Sequence, residues 1–98
     1  MIGLPANTRV WIVAGHTDMR KGFDGLAAMV QTALSENPFS GHVFVFRGRR
    51  GDILKVLWFD GQGLLLLSKR LELGRFVSVR GTHLDAREAE IYALGFQR

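Results

Sequence analysis

Hydrophobic and polar positions follow two different periods along this chain, and the changes of period divide it into elements. Residues 9–13, Arg-Val-Trp-Ile-Val, are rich in branched and aromatic side chains and predict a first strand, ended by Ala14-Gly15. Beyond it the period lengthens. Phe23, Leu26, Ala27, Val30, Ala33 and Leu34 keep the i, i+3, i+4, i+7 spacing of one apolar helical stripe. Thr17 or Asp18 is a suitable cap and Asn37-Pro38 a stop, while Gly22 and Gly25 weaken the first turn by up to ~1 kcal/mol each relative to alanine.

Alternation by two returns at residues 42–46, His-Val-Phe-Val-Phe, which are apolar on both faces apart from His42 and predict a strand in the middle of a sheet. In the next run, Leu54, Val56 and Trp58 share one face and Ile53, Lys55, Leu57 and Phe59 the other. Lys55 therefore places its strand near a sheet edge or an open face. Asp60-Gly61-Gln62-Gly63 is a hairpin signal, so Leu64 to Arg70 should return antiparallel. A further strand is expected through Phe76 to Val79. A short last helix is expected from Asp85, with Glu88 three residues on as in a capping box.

These elements predict an α+β fold: a curled antiparallel sheet of four to five strands packed on one long helix, with a short C-terminal helix at an edge. Residues 1–98 have room for one domain and one modest core. With 47% hydrophobic and 22% charged residues the chain falls among ordinary globular proteins. It has no cysteine, so apolar packing rather than disulfides or thiolate-bound metal must hold it. The start, Met1-Ile2-Gly3-Leu4-Pro5, has no basic leader, and the longest aliphatic run, Leu64 to Leu67, falls far below the ~20 residues of a membrane span. The expectation is a cytoplasmic protein with no membrane partner.

Charge changes the picture, because the net +4 is unevenly spread. Residues 47–80 carry eight basic side chains (Arg47, Arg49, Arg50, Lys55, Lys69, Arg70, Arg75, Arg80) against three acidic ones, a net of +5, and the remainder of the chain carries −1. Arginine suits phosphate because its planar fork donates two parallel hydrogen bonds, and backbone amides at Gly48 and Gly51 could approach an oxygen closely. Arg47, Arg49, Arg50, Lys69 and Arg70 are thus the main candidate contacts to DNA, with Lys55, Arg75 and Arg80 extending the surface. The plainer alternative is a hairpin whose charges keep a sheet edge soluble and unpaired. Arg20-Lys21 at the helix start could also hold a phosphate, but Asp18 and Asp24 lie close enough to pair with them.

Catalytic and cofactor chemistry finds little support. His16, His42 and His83 lack the spacing of zinc ligands, and the aspartates beside glycine suit caps and turns better than a two-metal nuclease. Ser40 and Ser68 lie in no nucleophile motif, and the glycines lack the Gly-Lys-Ser/Thr ending of a phosphate loop. No metal, cofactor or enzymatic activity is expected. Phe44, Phe46, Trp58 and Phe59 could stack on bases if exposed, yet a chain with ten aromatics needs most of them in its core.

Four ordered segments carry a family resemblance: Thr17-Asp18-Met19-Arg20-Lys21-Gly22-Phe23-Asp24-Gly25-Leu26, Phe46-Arg47-Gly48-Arg49-Arg50-Gly51-Asp52, Leu57-Trp58-Phe59-Asp60-Gly61 and Lys69-Arg70-Leu71-Glu72. Together they resemble the second-reading-frame accessory protein, often called TnpB, of insertion sequence 66 type elements. The tail departs from that pattern at Ser78-Val79, where members carry Trp-Pro. The resemblance implies a non-catalytic accessory to transposition, one that contacts DNA, the transposase of the same element, or both. It supplies Asp18, Arg20, Lys21 and Trp58 as motif positions without an assigned role. A second reading is a protein–protein adaptor or homo-oligomeric scaffold for the transposase, docking through Leu64 to Leu67, Trp58 or Phe96.

Overall fold

A computed structural model describes residues 7–76 and the backbone of residues 83–84. Its elements are β1 (Val10–Ile12), α1 (Phe23–Leu34), β2 (Val43–Arg47), β3 (Ile53–Phe59), β4 (Leu64–Arg70) and the two-residue β5 (His83–Leu84). The strands form one sheet in the order β4-β3-β2-β1-β5. The class is α+β, as the sequence predicts, but the sheet is mixed rather than antiparallel. β1 pairs parallel with β2, Val10 opposite Val43 and Ile12 opposite Val45, because α1 carries the chain back between them. Antiparallel pairing joins β2 to β3, β3 to β4 and β1 to β5.

β2 takes the central place its two-sided apolar pattern predicts, and the Asp60–Gly63 turn returns β4 antiparallel, Phe59 opposite Leu64 and Ile53 opposite Arg70. Asp60 builds that turn by accepting the Gln62 and Gly63 N–H groups at 2.9 and 3.0 Å, which hold its carboxylate below the usual range. Each face of the sheet has a core. On one side Phe44, Phe46 and Leu57 meet Leu26 and Val30 of α1. On the other, Val10, Ile12, Val43, Val45, Leu54 and Val56 meet Phe76, with Trp58 and Leu71 packed beside them. Burying Leu26 and Val30 completely stabilises the helix docking by roughly 1.5–3 kcal/mol each.

Several expectations need correction. α1 has twelve residues, an ordinary three turns rather than a long helix, and its buried stripe is narrower than expected: Phe23 is 47% exposed and Ala33 is exposed. Neither Thr17 nor Asp18 caps it. Gly22 stands at the N-cap without a side-chain hydrogen bond, since Thr17 is held in a parallel bridge with Gly48 and Asp18 builds its own turn. The helix stops before Asn37-Pro38, at Ser35, which adopts a left-handed conformation (φ 53°) while the Glu36 N–H donates to the Val30 carbonyl. Lys55 lies half-buried on β3, the strand beside the edge strand β4 rather than the edge strand itself. Residues 77–79 of the expected strand, the expected helix from Asp85, Arg80 and Phe96 lie outside the described residues.

Candidate nucleic-acid interface

The β2–β3 hairpin is set by hydrogen bonds that its two glycines donate. The Gly48 N–H donates to the Ile53 carbonyl at 2.9 Å and the Gly51 N–H to the Gly48 carbonyl at 3.0 Å, closing a turn with Arg49 and Arg50 at its tip. Gly51 has φ +77°, and a side chain there would collide with the Arg47 guanidinium. The Gly48 and Gly51 amides are thus used within the turn rather than offered to a phosphate, contrary to the sequence expectation. The turn instead exposes the two arginines. Among the described residues neither Arg49 nor Arg50 has a hydrogen bond or ion pair.

The parallel bridge between Thr17 and Gly48 brings the loop after β1 alongside this hairpin, and the Thr17 N–H donates to the Arg47 carbonyl at 2.8 Å. Met19 packs into the space that a side chain at Gly48 would need. Between loop and hairpin opens a cleft of about 700 Å³, lined by His16, Thr17, Arg20, Arg49, Arg50 and Arg70, with Asp18 and Asp52 among its walls.

Arg20 is oriented by Asp18. Its Nε donates to both carboxylate oxygens, at 3.0 and 3.2 Å, and its Nη2 to Oδ2 at 2.7 Å, while the Arg20 N–H donates to Oδ1 at 2.9 Å. The guanidinium first, and then that backbone N–H, hold the Asp18 carboxyl far below its ordinary range, and the carboxylate pushes Arg20 up in turn. On the facing wall, Arg70 Nε donates to Glu72 Oε2 at 3.0 Å, which raises Arg70 likewise.

The remaining predicted contacts divide. Arg47 is half-buried and donates from Nε to the Phe76 carbonyl at 3.3 Å. Lys55 reaches the Lys21 carbonyl at the helix entrance, Nζ to O 3.0 Å. Lys69 is opposite Leu54 and Arg70 opposite Ile53, so these neighbours project from opposite faces of β4. Arg75 is exposed and is not among the residues lining the cleft, and Arg80 is outside the described residues. Trp58 donates from Nε1 to the Gly41 carbonyl at 3.0 Å and packs on the core, while Phe44 and Phe46 are wholly buried. The structure thus joins Arg49, Arg50 and Arg70 with Arg20 and separates them from Arg47, Lys55 and Lys69. His16 and Thr17 join the cleft only through the tertiary bridge, for which the local sequence carries no signal.

Among the described residues no group of three or more histidines and carboxylates is placed to hold a metal ion, and no helix is long and apolar enough to cross a membrane.

The sequence profile of the family described as IS66 Orf2 like protein matches residues 8–97. The uncharacterized protein y4hO of Sinorhizobium fredii is 62% identical over 71 residues, 72% of this chain and 62% of that protein. The uncharacterized protein y4jC of the same organism is 40% identical over 77 residues, 79% of this chain and 66% of the relative. The matched stretch therefore spans less than two thirds of the length of either relative. No solved structure matches the chain.

Proposed function

The chain belongs to the IS66 Orf2-like family, and from that membership we propose that it is a non-catalytic accessory protein in the transposition of a bacterial insertion sequence, contacting DNA through the cleft side of its β2–β3 hairpin. The observation that carries the reading is the pair Arg49 and Arg50, exposed at a hydrogen-bonded turn and without a hydrogen bond or ion pair among the described residues. Arg20 and Arg70 stand on the same cleft. Guanidinium groups so placed meet a phosphate backbone with little reorganisation and read no base, which suits an accessory role better than sequence recognition. Arg47 and Lys55 serve the fold in this reading, and Lys69 and Arg75 add long-range attraction.

A salt titration tests it. Binding to duplex DNA should weaken as salt rises, with a slope of about −0.9 in log affinity per phosphate neutralised. Arg49→Ala with Arg50→Ala should make that slope shallower by about 1 for each phosphate no longer neutralised, whatever the DNA sequence. A slope near zero in the unaltered protein removes the nucleic-acid contact.

One observation favours a second reading, an adaptor that docks on the transposase or on a second copy. Among the described strands β4 has a neighbour on one side only, and Leu67 on it is 49% exposed. Capture of the transposase that survives nuclease and high salt separates this reading from DNA bridging.

A further inference from the structure

We propose that the cleft between the His16–Arg20 loop and the β2–β3 hairpin seats one phosphodiester of a nucleic-acid strand, with the Thr17 hydroxyl as a ligand beside the arginines. The inference rests on the reading that the hairpin faces nucleic acid, and adds the position and chemistry of the contact.

The donors are already set in place. A guanidinium carries five N–H groups. Arg20 commits only Nε and Nη2 to Asp18, and Arg70 only Nε to Glu72. Both arginines are therefore held by carboxylates while nitrogens remain for an incoming oxygen. Arg49 and Arg50 on the turn between them keep their full donor sets among the described residues.

Thr17 is an independent observation. It is 3% exposed, and its Oγ1 is buried without a hydrogen-bond partner among the described residues. A buried hydroxyl in that state costs about 1–3 kcal/mol, and the residue lines the cleft where a phosphate oxygen would supply the missing partner.

The charge of the lining selects the ligand class. Four guanidiniums stand against the carboxylates of Asp18 and Asp52, and Glu72, outside the lining, pairs with Arg70. A net positive lining suits a phosphate anion, and the internal diester is the phosphate that a strand presents along its whole length. The turn amides of Gly48 and Gly51 and the Thr17 N–H are already bonded within the protein. Binding therefore depends on side chains that substitution can remove.

The deciding variant is Thr17→Val, which keeps the shape and removes the hydroxyl. Its thermal stability should equal or exceed that of the unaltered protein, because an unpartnered buried group is removed. Its affinity for a duplex without terminal phosphates should fall by about two- to tenfold, the value of one hydrogen bond. The Arg20 and Arg70 Nε resonances should shift when that duplex is added, and should shift less with inorganic phosphate. Unchanged affinity in Thr17→Val with immobile Arg20 and Arg70 resonances overturns the inference; the broader reading then stands if Arg49→Ala with Arg50→Ala still weakens binding, and falls with it if that variant does not. A clear preference for the same duplex bearing 5′ phosphates overturns the assignment to a diester.

Discussion

The Cγ of Met19 stands 2.7 Å from the point at which a methyl group on Gly48 would lie, so the loop after β1 and the hairpin turn approach each other as closely as a glycine allows. Gly48→Ala should therefore cost stability, about 1–3 kcal/mol, through crowding. Met19→Ala should cost stability too, by removing half-buried packing. The double variant should cost less than the two changes added together, since each relieves the other's fault. Urea melts of the four proteins measure the coupling, and strict additivity would show that the loop does not rest on the hairpin as described.

The Asp18–Arg20 pair predicts a titration anomaly at the cleft wall. Asp18 is held below the ordinary carboxylate pKa of ~3.9 chiefly by the Arg20 guanidinium and secondarily by the Arg20 N–H. A folded-state pKa below the unfolded one adds stability that is fully present above the unfolded value and is lost as pH falls through the folded value. The window thus opens near pH ~4 and extends downwards, and its amplitude is small because the pair is exposed. Carboxyl NMR should find Asp18 still ionised at a pH where ordinary aspartates are half protonated. In Arg20→Gln its midpoint should rise towards the ordinary value, held back by the backbone N–H and by the Lys21 charge. A midpoint that does not move would remove the preset arginine from the cleft.

Much of the sheet was legible because its signals are local. The two-sided apolar run of β2 marked the centre, Asp60-Gly61 marked the hairpin, and the alternation of Leu54, Val56 and Trp58 against Leu57 marked the two faces. The parallel pairing of β1 with β2 was also within reach, since a helix between two neighbouring strands carries the chain back to the end where it began. Hairpin signals alone do not reveal it. The division of the basic residues has two causes. Lys69 and Arg70 are consecutive on a strand and must face opposite ways, a consequence of the pleat that charge counting ignores. Arg47 and Lys55 turn inward because the Phe76 and Lys21 carbonyls lie within reach of their long side chains, and those distances exist only in the folded chain. The same holds for the placing of Thr17 against Gly48, residues far apart in sequence.

Trp58 is expected to act through the fold. Its Nε1 donates to the Gly41 carbonyl and its ring packs on the sheet face away from α1, opposite Val43 on β2 and Leu65 on β4. Trp58→Phe should lower stability, with about 0.5–1.5 kcal/mol attributable to the missing hydrogen bond. DNA affinity measured well below the melting temperature should not change. A variant that melts normally but binds DNA more weakly would place the indole on a base instead.

Leu67 decides whether the β4 edge is a docking strand. Edge strands in soluble proteins are commonly protected by charge, yet Leu64 to Leu67 present four leucines before Lys69 and Arg70 begin. A second copy added antiparallel through the Leu67 position would set Lys69 against Leu65 and Arg70 against Leu64, so the like charges would lie at opposite ends of the seam. Parallel pairing would bring them together. Because Leu67 is about half exposed, Leu67→Lys should alter stability by no more than about 0.5 kcal/mol while placing a charge in the middle of the edge. If β4 carries self-association, sedimentation of the unaltered protein should shift with concentration and the variant should remain monomeric. Equal behaviour of the two proteins, with transposase capture also unchanged, would rule out β4 as a docking edge and leave the arginine cleft to carry the accessory role.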